Sequence, residues 1–169
     1  FTPISELNTV ENTTRGDNVT TVLQGKDVLT TKFSLVKNND YKTIETDFFN
    51  IKSNIDTEDL DPTEVAIVTD RVTQFINSNL GDYPHDEMLL TWIDYKKDPI
   101  YGLNLLPDFI RPFDDTFQYE LKILKTALRS YLENTLLINP RKDQWVLDGI
   151  QIYYLMKYVE ENYPNQKIL

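Results

Sequence analysis

Two carboxylates lie on the segments of this chain that best predict helices, and they are the first candidates for chemistry. Glu120 lies within DTFQYELKILKTALRSYLENT and Asp148 within QWVLDGIQIYYLMKYVEENY. Each falls at the edge of an apolar helical face, where a carboxylate needs a hydrogen-bond donor. Asp148 could also simply pair with a buried arginine or tyrosine. A glycosidase needs two acids at a defined separation, which the sequence alone does not give.

The other residue types exclude most catalytic classes. The 169 residues include one histidine, His85, and no cysteine, so neither a histidine-based metal cluster nor a Ser–His or Cys–His nucleophile is predicted. Only five glycines are present, without a Gly-rich phosphate loop, so nucleotide chemistry is not expected. A net charge of −10 argues against nucleic acid, because phosphate binding needs clustered Lys and Arg. The sequence also contains no apolar run long enough to predict a membrane-spanning segment.

The elements that would position the two acids predict a single α+β domain over residues 1–169. Residues 1–60 are mainly β: an extended polar arm, then two strands at 28–36 and 41–51 that form a hairpin. Residues 61–169 are mainly helical, with one strand near 87–95. The first helix begins after a capping Asp with Pro at its first position, and ends at a Gly. A chain of this length can bury about two thirds of its unfolded surface.

Both helices that carry the acids are expected to lie in the interior. In the helix that carries Glu120, apolar residues recur in steps of four and three, and Tyr119 and Ile123 make the opposite side apolar as well. In the second, Trp145, Ile152 and Met156 share one side and further apolar residues fill another. We therefore expect each helix to be covered on two sides.

From residue 61 onward, the order of features resembles the catalytic domain of the zinc aminopeptidases related to aminopeptidase N, which are gluzincin metallopeptidases. Four segments carry the resemblance: YPH at 83–85 for a YPY turn, YGLNLLP at 101–107 for a G-x-M-E-N loop, YELKI at 119–123 for H-E-x-x-H, and WVLDGI at 145–150 for W-L-x-E-G. The resemblance implies a thermolysin-like fold in which an extended peptide lies along the loop after the strand.

The residues at the family's zinc positions differ in this chain. In this alignment Tyr119 and Ile123 stand where the two zinc-binding histidines would be, and Asp148 stands for the third ligand. Glu120 keeps the general-base position. A phenol and a hydrocarbon cannot replace imidazoles at zinc, so no metal ligands are predicted and Glu120 is vestigial. The interval between Glu120 and Asp148 is several residues longer than in the family.

The resemblance also implies a contact surface for a peptide. It consists of Gly102, Leu103 and Asn104 in the loop, with Tyr119 and Asp148 beside them. Asn104 stands in place of the glutamate that would hold a substrate's amino terminus. The partner expected on this basis is a peptide or a protein.

The sequence thus predicts a degenerate aminopeptidase-like domain, part of a longer protein, that serves as a peptide-binding or structural module without a cofactor. One alternative is an active zinc metallopeptidase with unrecognised ligands. The other is a pure scaffold for neighbouring domains. For the compartment, the expectation is only a preference for a bacterial cell envelope or periplasm, and no oligomeric state is predicted.

Overall fold

The strands and helices of the chain are seen in a computed structural model that describes residues 1–37, 40–100, 103, 113–139 and 142–165. Within these residues the elements are β1 Thr2–Ser5, β2 Asn8–Arg15, β3 Asn18–Gln24, β4 Phe33–Val36, β5 Lys42–Ile44, β6 Asn50–Ser53, α1 Pro62–Leu80, β7 Glu87–Leu90, α2 Trp92–Lys97, α3 Asp115–Thr135 and α4 Gln144–Asn162. The predicted α+β class is confirmed. None of the helices in this part of the chain is both long enough and apolar enough to cross a bilayer.

The strands pair differently from the predicted hairpin. β1 pairs with β4, β2 with β3 and β5 with β6, all antiparallel. The hairpin predicted between 28–36 and 41–51 is therefore wrong. Its proposed turn includes Asn38 and Asn39, which lie outside the described residues. Long-range pairing of β1 with β4 cannot be deduced from local alternation, because any two amphipathic strands show the same pattern.

The amino-terminal segment forms strands instead of an extended arm. β2 and β3 make a hairpin whose last pair is Arg15 with Asn18. The turn between them begins at Gly16, with φ at +61°. Glycine adopts this left-handed conformation without the steric penalty that a Cβ brings.

A three-stranded sheet in the order β5-β6-β7 supports the helices that follow it. β7 pairs parallel with β6, and its residues are largely buried. The strand predicted near 87–95 stops at Leu90, because Thr91 caps α2 with its hydroxyl oxygen, which accepts a hydrogen bond from Asp94 N at 2.9 Å. A short apolar run does not distinguish strand from helix, and here the capping residue decides.

Two helices begin at capping aspartates. Asp61 accepts from the backbone N–H groups of Thr63 and Glu64 and opens α1, which ends at Gly81 as the sequence predicts. Asp114 accepts from Phe117 N at 2.7 Å and opens α3. Each cap satisfies N–H groups that have no partner inside the helix.

Helix α3 is the most deeply buried element of the domain. It packs against α1, α4 and β7. Tyr119 and Ile123 lie in the main hydrophobic cluster together with residues from α1, α4 and the three-stranded sheet. The expectation that α3 is covered on both sides is confirmed.

Helix α4 packs on α3 with one side and presents the other to solvent. Trp145 is 73% exposed, and Ile152 and Met156 are also exposed. The expectation that α4 is buried on both sides is wrong for the described residues. An apolar face predicts a cover but does not show that one is present.

Candidate functional site

Glu120 lies in a closed cluster of hydrogen bonds between α1, α3 and the end of α4. Its carboxylate is 0% exposed and accepts hydrogen bonds from the hydroxyls of Tyr158 and Tyr163 and from Arg71 Nη1, the last at 3.1 Å. Arg71 Nη1 also lies 3.1 Å from Tyr163 Oη, to which it donates. Donors therefore surround the carboxylate, and it is closed to water and to a substrate.

The two tyrosines remain protonated donors over the physiological range. Burial raises the pKa of Tyr158 above its ordinary value, and the charge of Glu120 raises that pKa further. Burial also raises the pKa of Tyr163, to about 12, with a further contribution from its hydrogen bond to Glu120. Removing either proton would place a phenolate beside a buried carboxylate, which is unfavourable.

This cluster predicts that the domain loses stability in alkaline solution. Burial raises the pKa of Tyr163 to about 12 in the folded chain, whereas the pKa of an unfolded tyrosine is about 10. Its contribution is therefore complete below pH about 10 and is lost as the pH rises towards about 12. We expect the free energy of unfolding, measured by urea titration from pH 8 to 11.5, to fall less steeply in Tyr163→Phe than in the wild type.

The control is Tyr153→Phe, which removes a hydroxyl from an exposed position on α4. It is expected to follow the wild-type curve. Equal slopes for wild type and Tyr163→Phe would contradict the assignment.

Asp148 lies elsewhere on α4 and has a different partner. It is half-buried and accepts from Arg129 Nη1 at 2.6 Å. Tyr158, which contacts Glu120, is ten residues further along the same helix, a rise of about 15 Å. The structure therefore does not bring Glu120 and Asp148 together, and Asp148 pairs with an arginine, as its simplest interpretation allowed.

The remaining predicted site residues are also dispersed. Tyr119 is buried against α1, where its hydroxyl lies 3.4 Å from Thr69 Oγ1. Leu103 is buried in a separate small cluster with residues of α3 and α4. Gly102 and Asn104 lie outside the described residues. The predicted peptide surface thus contributes no open groove at Tyr119 or Leu103.

A polar pocket lies where α2, α3 and α4 meet. Its volume is about 340 Å³. The lining is rich in charged and amide side chains: Lys32, Asp94, Tyr95, Lys97, Asp98, Lys125, Thr126, Arg129, Glu133, Gln144 and Gln151. Four of these are basic and three acidic, in a chain whose net charge is −10.

Two basic residues one turn apart on α3 form the base of this pocket. Lys125 is only 9% exposed, and its Nζ lies 2.8 Å from Asp98 Oδ1 and 3.3 Å from the carbonyl oxygen of Pro99. Arg129 binds Asp148 with Nη1 and Glu133 with Nε, the latter at 2.7 Å. Residues four apart share a helix face, so both cations point to the same side.

Helix α4 closes the pocket beside these cations. Gln151 is buried and donates through Nε2 to the backbone oxygen of Lys125 at 2.8 Å. Because Gln151 lies three residues after Asp148, the two side chains face α3 from one side of α4. The sequence did not single out Lys125 and Arg129; the signal was two cations four residues apart on a strongly apolar helix.

The comparisons with known proteins add no relative: no protein-family model, curated protein or solved structure matches the chain. In the part of the chain that the structure describes, no group of three or more His, Cys, Asp or Glu side chains could hold a metal ion. The class that fold and site define is an α+β domain with a charged pocket between three helices. The kinship with the zinc aminopeptidases stays a prediction.

Proposed function

We propose that the chain is a degenerate aminopeptidase-like module that lacks a zinc site and binds a peptide in the pocket between α2, α3 and α4. The observation that carries the proposal is the position of Asp148. This acid, aligned with the family's third zinc ligand, binds Arg129 on the face of α3 that also carries Lys125.

We align the zinc motif of the family six residues further along α3 than the segment YELKI at 119–123. Lys125, Thr126 and Arg129 then stand in place of histidine, glutamate and histidine in H-E-x-x-H, with the same spacing that Tyr119, Glu120 and Ile123 have. The interval to Asp148 shrinks from 28 residues (148 − 120) to 22 (148 − 126). The shift therefore removes six residues from an interval that was several residues too long, and α3 with α4 represents the helix pair of a thermolysin-like fold.

With this alignment, Lys125, Thr126 and Arg129 do not supply the groups that zinc-dependent hydrolysis needs. Zinc requires neutral imidazole, thiolate or carboxylate ligands, and an ammonium and a guanidinium offer no lone pair and repel the ion. Thr126 cannot serve as the general base. Glu120, which has the right chemistry, is sealed among Arg71 and two tyrosines. The alternative of an active metallopeptidase therefore has little support from the described side chains.

Peptide binding is the function that this pocket supports best. Its volume of about 340 Å³ falls within the range of roughly 300–1,000 Å³ that is usual for ligand sites. The lining offers donors and acceptors together, from the amides of Gln144 and Gln151 and from paired charges. A peptide backbone presents both kinds of group, so it matches such a lining better than an apolar ligand would.

A pooled peptide library retained on the purified protein tests the proposal. We expect retention by the wild type and loss of it in Gln144→Trp, which places a bulky ring at the mouth of the pocket. The control is Glu160→Trp, an exposed position on the same helix that does not line the pocket. Retention that persists in Gln144→Trp would contradict this pocket as the binding site, and no retention by the wild type would leave the scaffold alternative.

The zinc content of the same protein preparation distinguishes the proposed function from the alternative of an active metallopeptidase. After dialysis against trace zinc, we expect no stoichiometric zinc by elemental analysis, because cations occupy the place of the ligands. One zinc per chain that is lost in Asp148→Ala would restore the metallopeptidase.

A further inference from the structure

The pocket has spare hydrogen-bond donors, and they define the chemistry of its ligand. We infer that it recognises a carboxylate of the bound peptide, not a free amino terminus. The inference rests on the proposed function and specifies which end or side chain of the peptide the pocket receives.

Arg129 contributes more spare donors than any other single side chain of the pocket. A guanidinium carries five N–H groups. In the described structure two of them are used, by Glu133 and Asp148 on opposite sides. These two acids hold the planar group in place, so its remaining donors are fixed before a ligand arrives. A fixed guanidinium binds a carboxylate with two parallel hydrogen bonds.

Two lysines add donors to the same pocket. Lys125 Nζ has three donors, of which Asp98 and the carbonyl of Pro99 take two. Lys32 Nζ lies 3.2 Å from Glu133 Oε2. Lys125 is nearly buried, so water replaces a missing partner poorly, and an acceptor from a ligand would improve its solvation.

Tyr95 provides an independent sign of an absent partner. Its side chain lines the pocket and is 2% exposed, yet its hydroxyl makes no hydrogen bond of ordinary geometry to the described residues. Burial raises the pKa of Tyr95, against a smaller opposing effect from the backbone of Ile100, so the hydroxyl keeps its proton. The backbone N–H of Ile100 faces the hydroxyl oxygen, so it is the hydroxyl's own proton that lacks an acceptor. A buried donor without an acceptor is rare in folded proteins, and a carboxylate oxygen would supply one.

The acids of the pocket do not offer the same opportunity to an amino terminus. Asp98 pairs with Lys125, Asp94 with Lys97, and Glu133 with Arg129 and Lys32. An ammonium entering the pocket would meet these cations at close range, which is unfavourable. Each acid of the lining therefore already has a cationic partner, and four basic against three acidic side chains leave the lining with a net positive charge.

The test uses four defined tripeptides and isothermal titration calorimetry at low salt. They are Ala-Ala-Ala, its N-acetyl form, its C-terminal amide, and N-acetyl-Ala-Ala-Asp amide. We expect Ala-Ala-Ala and its N-acetyl form to bind with similar Kd. The C-terminal amide of Ala-Ala-Ala should bind about tenfold more weakly, since it loses the charge-assisted hydrogen bonds of the carboxylate. If the aspartyl peptide binds as tightly as the free acids, the carboxylate is supported with a side chain as its source.

Variants of the pocket assign the effect to its donors. Tyr95→Phe removes only an oxygen, and we expect it to weaken binding of the free acid while leaving binding of the amide unchanged. Arg129→Gln should weaken binding of the free acid by about tenfold or more. Lys52→Gln is the control, because its ion pair with Glu87 joins two strands outside the pocket; it should change neither Kd.

The outcomes separate this inference from the proposed function. If Ala-Ala-Ala and its C-terminal amide bind equally, and Gln144→Trp weakens both, the inference is wrong while the proposed function stands. Stronger binding of peptides with a free amino terminus than of acetylated ones does the same. Failure of all four peptides to bind, together with an empty peptide library, overturns the proposed function.

Discussion

Replacing Ile123 with alanine will destabilise the domain by about 2–5 kcal/mol, the usual range for a truncated core aliphatic side chain. Ile123 is 0% exposed and lies in the main hydrophobic cluster on α3. The rigid neighbours from α1 and the sheet cannot close the space that is left, so a cavity adds to the lost burial. The free energy of unfolding from urea titration at neutral pH measures the effect.

The matched control is Ile93→Ala on α2, where the same side chain is 62% exposed. We expect a change of less than about 0.5 kcal/mol, as for other surface substitutions. A small effect at Ile123 would place this residue outside the core and contradict the packing of α3.

The second large effect is expected for Arg71→Met. This change leaves the carboxylate of Glu120 buried without its cationic partner, although Tyr158 and Tyr163 still donate to it. Breaking a fully buried pair costs about 3–5 kcal/mol. The side chain of Arg71 is 36% exposed, so water can approach the vacated place, and we expect the free energy of unfolding to fall by about 2–3 kcal/mol.

A double substitution shows whether the unpaired charge is the cause. Adding Glu120→Gln to Arg71→Met removes the charge and should recover part of the lost stability, whereas independent effects would add. Lys52→Met breaks a pair whose carboxylate, on Glu87, is 25% exposed and stays in contact with water, so this change should cost less than about 1 kcal/mol. Additive losses at residues 71 and 120 would show that the cluster acts through packing alone.

The parts of the fold that depend on local chemistry were predictable from the sequence. Asp61 and Gly81 bound α1 where the pattern places them, because capping depends on residues within one turn. The pairing of β1 with β4 was not predictable, since it depends on which distant strands meet. The exposed side of α4 was not predictable either, because an apolar pattern predicts only a tendency towards burial.

The candidate site was predicted only in part. The sequence singled out Asp148, which borders the pocket through Arg129, but it paired this acid with Glu120. The alignment followed the letter match at Glu120, although the interval from Glu120 to Asp148 is several residues longer than in the family. Which residue of α3 meets Asp148 depends on the packing of two helices, and the structure shows that it is Arg129.

The stacking of Trp92 on Tyr95 gives the domain an optical reporter of its own pocket. The two rings lie 5.4 Å apart, nearly parallel, with Lys96 and Lys122 over the indole. Indole emission responds to nearby charge and to the motion of a stacked neighbour. Because the chain has only one other tryptophan, Trp145, its replacement by phenylalanine would leave Trp92 as the single indole, which can be excited selectively over the tyrosines. Ligand entry could then be followed in real time without a label.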